Sequence, residues 1–250
     1  SKSRLNQRCM LSLKDKRVGV MMGGLSSERD VSLKSGAAVL DALRSSGINA
    51  FGLEVSDESY EGIKGLVSFN RIDVVFVAMH GGFGEDGRLQ GILEKIGVLY
   101  TGPGQKASSL AMDKLVSRKF FQKAGLCIPK YRHIQKKDDR SLWQLMVKDL
   151  NYPLVVKPSD QGSSIGISFI DSDIKLAPAL DEAFKYGGVS IVEEFISGRE
   201  ITVSVFDKKA LPVVEIIPKN KFFDFEAKYQ KGLTEYVVPA QLDDAIVHRV

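Results

Sequence analysis

Leu154-Val-Val-Lys-Pro-Ser-Asp-Gln-Gly-Ser-Ser-Ile-Gly166 carries more potential chemistry than any other stretch of the chain. A lysine closes an apolar strand, and a loop with two glycines and three hydroxyls follows before apolar residues resume. Glycine lets backbone N–H groups approach an anion, serine hydroxyls add donors, and Lys157 supplies a point charge for phosphate oxygens. Taken alone, the loop fits a polar hairpin with an exposed lysine equally well. It joins strand to strand and lacks Gly-Lys-Ser/Thr, so it is not a P-loop, and the His-Arg-Asp and Asp-Phe-Gly signatures of protein kinases are absent.

Ser190-Ile-Val-Glu-Glu-Phe-Ile-Ser-Gly-Arg-Glu200 is the second candidate. A strand delivers Glu193 and Glu194 ahead of Phe195 and Ile196, turns at Gly198 and resumes at Glu200. Main-chain groups beside Phe195 suit an adenine edge, and Glu200 suits ribose hydroxyls; solvated acids at a strand end are the plainer alternative. Upstream, His80 ends an apolar strand and enters Gly81-Gly-Phe-Gly-Glu-Asp-Gly87. Gly23 to Glu28 stands at the matching end of an earlier strand, before a helix N-terminus suited to an anion.

Positioning these residues requires two kinds of layer. From 17 to 104, strands (17–22, 49–55, 73–80, 98–101) alternate with helices (from Ser27 with Asp30 as a capping partner, 58–67, 88–96), which predicts a mostly parallel sheet covered on both faces. Leu33, Ala37, Leu40 and Leu43 are expected to form the buried stripe of the first helix. One long helix is expected over 105–124 and another over 138–150. Strands over 154–157, 165–170, 190–195, 200–206 and 211–217, interrupted by a helix over 172–186, predict an antiparallel α+β unit. The segment 222–239 has no periodicity and is long for a connection, which points to function.

Composition excludes more than it assigns. Hydrophobic residues at 44% and charged residues at 26% suit a globular protein, and no apolar run is long enough for a membrane span or a signal-peptide core. A net charge of +4 does not argue for nucleic acid. Two cysteines, Cys9 and Cys127, make neither a metal-ligand spacing nor a disulfide framework, so a cytoplasmic setting is expected. Residues before Met10 are expected to lie outside the folded domain. The apolar pattern Leu242, Ala245, Ile246, Val250 reads as a helix without a stop, the mark of a chain cut short.

In their order, seven motifs resemble those of D-alanine–D-alanine ligases of the ATP-grasp superfamily: Met22 to Leu33, His80 to Gly87, Tyr100-Thr-Gly-Pro-Gly104, Met112-Asp-Lys114, Lys157 with Gln161 to Gly166, Glu193 to Glu200, and Phe223-Asp-Phe-Glu-Ala-Lys-Tyr229. The resemblance runs from about Lys16 to the last residue. It implies an N-terminal extension at 1–15, a Rossmann-like pre-ATP-grasp substrate domain at 16–104, and an incomplete ATP-grasp domain at 105–250 with a small subdomain at 105–188. It also implies that Lys114, Lys157 and Lys228 contact phosphates, that Glu193, Glu194, Phe195, Ile196 and Glu200 form the adenosine pocket, and that Ser163 and Ser164 lie in the lid. Glu28 resembles the residue that holds the first D-alanine's ammonium and, with Ser163 and Tyr229, forms a latch; His80 sits near the reacting carboxylate.

The implied reaction joins two D-alanine molecules through an acyl phosphate, consuming ATP with Mg2+ or Mn2+, in a cytoplasmic homodimer that makes cell-wall precursor. The metal-binding carboxylates and asparagine of the family fall after Val250, so this chain alone is expected to be inactive. Phe223 and Phe225 stand where relatives often carry tyrosine, and Glu194 where they are often basic. The alternatives are an ATP-binding chain without turnover, or another ATP-grasp carboxylate–amine ligase, such as one making D-alanyl-D-lactate.

Overall fold

A computed structural model describes residues 13–219 and 232–250. Cys9, Met10 and the motif from Phe223 to Tyr229, with Lys228, lie outside the described residues. The chain divides into two units, Ser1–Ser117 and Arg118–Val250.

In the first unit, strands β1 (Val18–Gly23), β2 (Ala50–Val55), β3 (Val74–Val77) and β4 (Leu99–Tyr100) form a parallel sheet in the order β2-β1-β3-β4. Every residue of β1 is buried, as a central strand covered on both faces requires. One face carries α1 (Arg29–Ser45), and the other carries α2 (Tyr60–Phe69) and α4 (Arg88–Ile96); the single turn α3 (Gly82–Glu85) sits just before α4. Leu89 and Leu93, one turn apart on α4, are fully buried, and each stabilises the unit by about 1.5–3 kcal/mol relative to exposure. α5 (Gln105–Met112) packs against α4.

Leu33, Leu40 and Leu43 of α1 pack against the core as expected, but the fourth residue of the expected stripe does not. Ala37 is exposed, and Gly36 faces the sheet beside Ser32. A Cβ on Gly36 would stand 2.5 Å from the Met22 Cβ, so the helix can lie this close to β1 only with glycine there. The expected Ser27–Asp30 cap is not formed: the helix starts at Arg29 with Glu28 at its N-cap position and no side-chain cap. Ser32, fully buried, instead accepts from the Gly23 N–H and donates to the Ala78 carbonyl, both at 2.8 Å, tying the ends of two strands to the helix. Ser32→Ala strands both backbone groups in the core. It is expected to cost about 1–3 kcal/mol in urea unfolding, and a loss near zero would show that water replaces the hydroxyl.

The long helix expected over 105–124 is two helices. Asp113 leaves the helical region (φ −76°, ψ 104°), and its Oδ1 accepts from the backbone N–H groups of Leu115 and Val116, capping α6 (Lys114–Lys123).

In the second unit, β5 (Tyr131–Gln135), β6 (Leu154–Pro158), β7 (Ser168–Ile170) and β8 (Val189–Glu194) form an antiparallel sheet in the order β5-β8-β6-β7. The helices expected over 138–150 and 172–186 are shorter: 3-10 turns at Arg140–Leu142 and Asp173–Lys175 lead into α7 (Trp143–Val147) and α8 (Leu176–Ala183). Both pack on one face, around Leu154, Val156, Val192, Leu180 and Phe184. The strand expected over 165–170 is confined to β7. The segment read as one strand over 200–206 splits between two sheets: β9 (Glu200–Thr202) joins β12 (Val214–Pro218) and β13 (Thr234–Val237), while β10 (Val205–Phe206) pairs with β11 (Lys209–Ala210). The closing helix, α9, covers only Asp244–Val247. Among the described residues, no helix is long and apolar enough to cross a membrane.

Candidate functional site

Alternation along β6 and β8 decides which side chains are free for chemistry. Leu154, Val156 and Val192 enter the helix-covered core, so Val155, Lys157 and Glu193 emerge on the opposite face. Register sets them side by side: Val155 is opposite Phe169 on one neighbour and Glu193 on the other, and Lys157 lies diagonal to Glu193, within reach of its long side chain. These residues line a cleft of about 700 Å3 between this sheet and the β9–β12 strands, a volume in the range of nucleotide-sized ligands.

The walls are apolar at one end and charged at the other. Phe169 meets Phe195 edge to face, with centroids 5.8 Å apart, and Ile167, Ile196 and Ile216 continue that surface. Glu193, 6% exposed, accepts from Lys157 Nζ on Oε1 and from Arg118 Nη2 on Oε2. Arg118, 7% exposed, also stacks on Tyr131, the cross-strand neighbour of Glu193. Glu194 accepts from the backbone and side-chain nitrogens of Asn151, at 2.9 Å each. The Phe195 N–H is taken by the Pro153 carbonyl, so an incoming base edge must be read by neighbouring groups. Arg199 forms a two-point pair with Glu215, which holds that carboxyl below its usual range. Ser164 faces the cleft from the β6–β7 loop, where Ser163 (φ 49°) and Ser164 (φ 61°) hold the left-handed conformation in succession. Non-glycine residues adopt it at a cost of order 1–3 kcal/mol each, a strain typical of functional loops.

A separate cluster stands at the carboxyl edge of the parallel sheet in the first unit. Ser26 Oγ donates to the His80 carbonyl, and His80 Nε2 lies 3.0 Å from Ser35 Oγ. Glu28 is buried beside Gly81, where a Cβ would stand 2.4 Å from its Oε2 and φ is +70°, so the position admits only glycine. The Glu85 carboxylate, 3.8 Å from His80 Nδ1, raises the His80 pKa above 6.5; burial opposes the shift and the Glu28 charge adds to it. A raised folded-state value means that protonated His80 contributes stability fully below pH 6.5, and that this is lost as pH climbs through the folded value. Glu85→Gln is expected to move the His80 midpoint down in an NMR titration of the imidazole; an unmoved midpoint would assign the shift elsewhere.

Of the residues singled out from sequence, Lys157, Ser164, Glu193, Glu194, Phe195, Ile196 and Glu200 open into the one cleft, with Ser163 in its loop. Glu28 and His80 belong to the first-unit cluster, Lys114 opens α6, and Lys228 and Tyr229 lie outside the described residues. Sequence reading missed Arg118, Phe169, Arg199 and Glu215. Arg118 pairs with Glu193 across 75 positions, a partnership that no local pattern signals. Among the described residues, no three His, Cys, Asp or Glu side chains gather to hold a metal ion.

Family models described as "D-ala D-ala ligase N-terminus" and "D-ala D-ala ligase C-terminus" match residues 53–103 and 120–250. The chain is 44% identical over 238 residues to a D-alanine–D-alanine ligase of Geotalea uraniireducens, covering 95% of this chain and 74% of that protein. Among solved structures, a D-alanine–D-alanine ligase from Bacillus anthracis complexed with ATP superposes with a TM-score of 0.76 at 30% identity, over 91% of this chain and 72% of that one. The VanG D-Ala:D-Ser ligase of Enterococcus faecalis superposes with a TM-score of 0.72 at 27% identity, over 94% and 79%.

Proposed function

Because the chain belongs to the D-alanine–D-alanine ligase family and carries its ATP-grasp fold, we propose that it performs the ATP-dependent joining of two D-alanine molecules for peptidoglycan precursor synthesis. The observation that carries this reading is the shared cleft, in which Lys157, Ser164 and the Glu193–Ile196 strand end meet around a volume fit for a nucleotide.

In this proposal the adenine lies against Phe169, Phe195 and Ile196, Glu200 takes the ribose hydroxyls, and Lys157, with Lys114 and Lys228, meets the phosphates. Glu28 holds the ammonium of the first D-alanine, and His80 sits near its carboxylate. That carboxylate attacks the γ-phosphorus and ADP leaves. The amine of the second D-alanine then attacks the acyl phosphate carbonyl, and inorganic phosphate departs as the peptide forms. Lysine charge stabilises the transferring phosphoryl group, and the Ser163–Ser164 loop keeps water from the acyl phosphate. The family implies Mg2+ or Mn2+, and the described residues gather no three carboxylates, histidines or cysteines that would hold either ion.

The proposal divides the chain into a substrate domain at 16–104 and an ATP-grasp domain from 105, with a small subdomain at 105–188. The setting is cytoplasmic, where ATP is supplied, and the assembly a homodimer. The test is phosphate release by the purified protein: it must require ATP and D-alanine together, and equal release without D-alanine would overturn the reading.

A further inference from the structure

Glu193 and Glu215 are ion-paired carboxylates that line the cleft, and Glu193 holds two cations that are not equivalent. Lys157 lines the cleft with its side chain 18% exposed, whereas the Arg118 side chain is 9% exposed and stands behind Glu193, stacked on Tyr131. Each cation takes a different oxygen, Lys157 on Oε1 and Arg118 Nη2 on Oε2. The second terminal nitrogen of the guanidinium, Nη1, is buried with no hydrogen-bond partner. A buried donor left idle is costly, and buried polar groups in folded proteins are nearly always satisfied.

These facts fit one device. We infer that Arg118 is a positioning residue that releases Lys157 to the nucleotide phosphates: as Lys157 leaves Glu193, the idle Nη1 of Arg118 takes the vacated Oε1. The pair becomes a two-point fork, the geometry that suits arginine and carboxylate best. Glu193 never stands as a buried charge without a counter-ion, so drawing Lys157 onto phosphate carries little penalty. Without Arg118, Lys157 is the only counter-ion Glu193 has among the described residues, and phosphate must compete for it. The inference rests on the ligase reading, because it needs phosphates to arrive in this cleft. No bond is made or broken covalently.

The experiment compares ADP with adenosine, which fills the same cleft without phosphates, by calorimetry on the purified protein. Arg118→Met is expected to weaken ADP by about tenfold to a hundredfold, the worth of a charge-assisted hydrogen bond, while adenosine stays near the wild-type value. Arg118→Lys, which keeps the charge but not the fork, is expected to recover part of the loss. Equal weakening of ADP and adenosine, or no weakening of ADP, overturns the inference. Should Arg118→Met fail to fold, the comparison moves to a Glu193→Gln background, where no carboxylate holds Lys157. There Arg118→Met is expected to change ADP affinity little, and a further tenfold loss overturns the inference. Wild-type protein that binds neither ligand overturns the ligase reading itself, and the inference with it.

Discussion

Lys157→Met is expected to lower kcat/KM for dipeptide formation by about 10²–10³-fold, the effect of deleting one preorganised donor to a developing charge. The side chain stands next to the last residue of β6, faces the cleft rather than the core, and is held in it by Glu193 until phosphates arrive. Methionine keeps the length and apolar stem of the lysine, which leaves the packing near Val155 intact. The loss should therefore fall on turnover and on nucleotide KM, with little change in melting temperature. The measurement is steady-state phosphate release at varied ATP with D-alanine saturating. A variant that keeps within threefold of the parent rate would mean that the cleft works without this charge, and the site assignment would fail.

Glu193→Ala should act on stability as well as activity. Removing the carboxylate leaves Arg118 buried with its charge uncompensated and Lys157 nearby with the same sign. Breaking a buried pair in this way costs about 3–5 kcal/mol, which for a chain of this size lowers the melting temperature by roughly 6–20 °C. Pairing it with Arg118→Met removes both buried charges and should restore much of the loss, because neither alanine nor methionine needs a polar partner when buried, although the space left by Glu193 is not refilled. Thermal denaturation of the two single variants and the double decides the matter. If the double melts no higher than Glu193→Ala, the cost belongs to lost packing rather than to a stranded charge.

Much of the fold was legible because local chemistry and long-range packing agree. α4 falls at Arg88–Ile96 as read, since glycine stands on either side and Leu89 and Leu93 recur one turn apart. The parallel character of the first sheet followed from strands and helices in alternation. Elsewhere local pattern misled. The apolar spacing of 105–124 runs through Asp113, but a carboxylate that can cap two backbone donors ends one helix and begins another. The 200–206 segment alternates like a single strand, yet its halves pair with different partners: Val205 and Phe206 turn back on Ala210 and Lys209, while Glu200 to Thr202 join the more distant strand Val214 to Ile216. In the cleft, the lysine, the serines and the acidic strand end could be named from their motifs. Arg118 could not, because a basic residue on a helix looks like any solvated cation until the strand that carries Glu193 is placed beside it. The aromatic wall was likewise half visible: Phe195 belongs to a motif, while Phe169 looked like an ordinary strand residue.

The absence of a side chain at Gly36 reaches further than the core it sits in. α1 rests on Met22 with no clearance, and the turn before that helix carries Glu28 toward Gly81 and His80. Any larger residue at 36 must lift the helix off the sheet, and the carboxylate at its head travels with it. The depth of the first-unit cluster is thus gauged from the middle of a helix two turns away. A substitution there, next to Ser35 but two turns from Glu28, would register first as a slackened grip on the ligand proposed for Glu28.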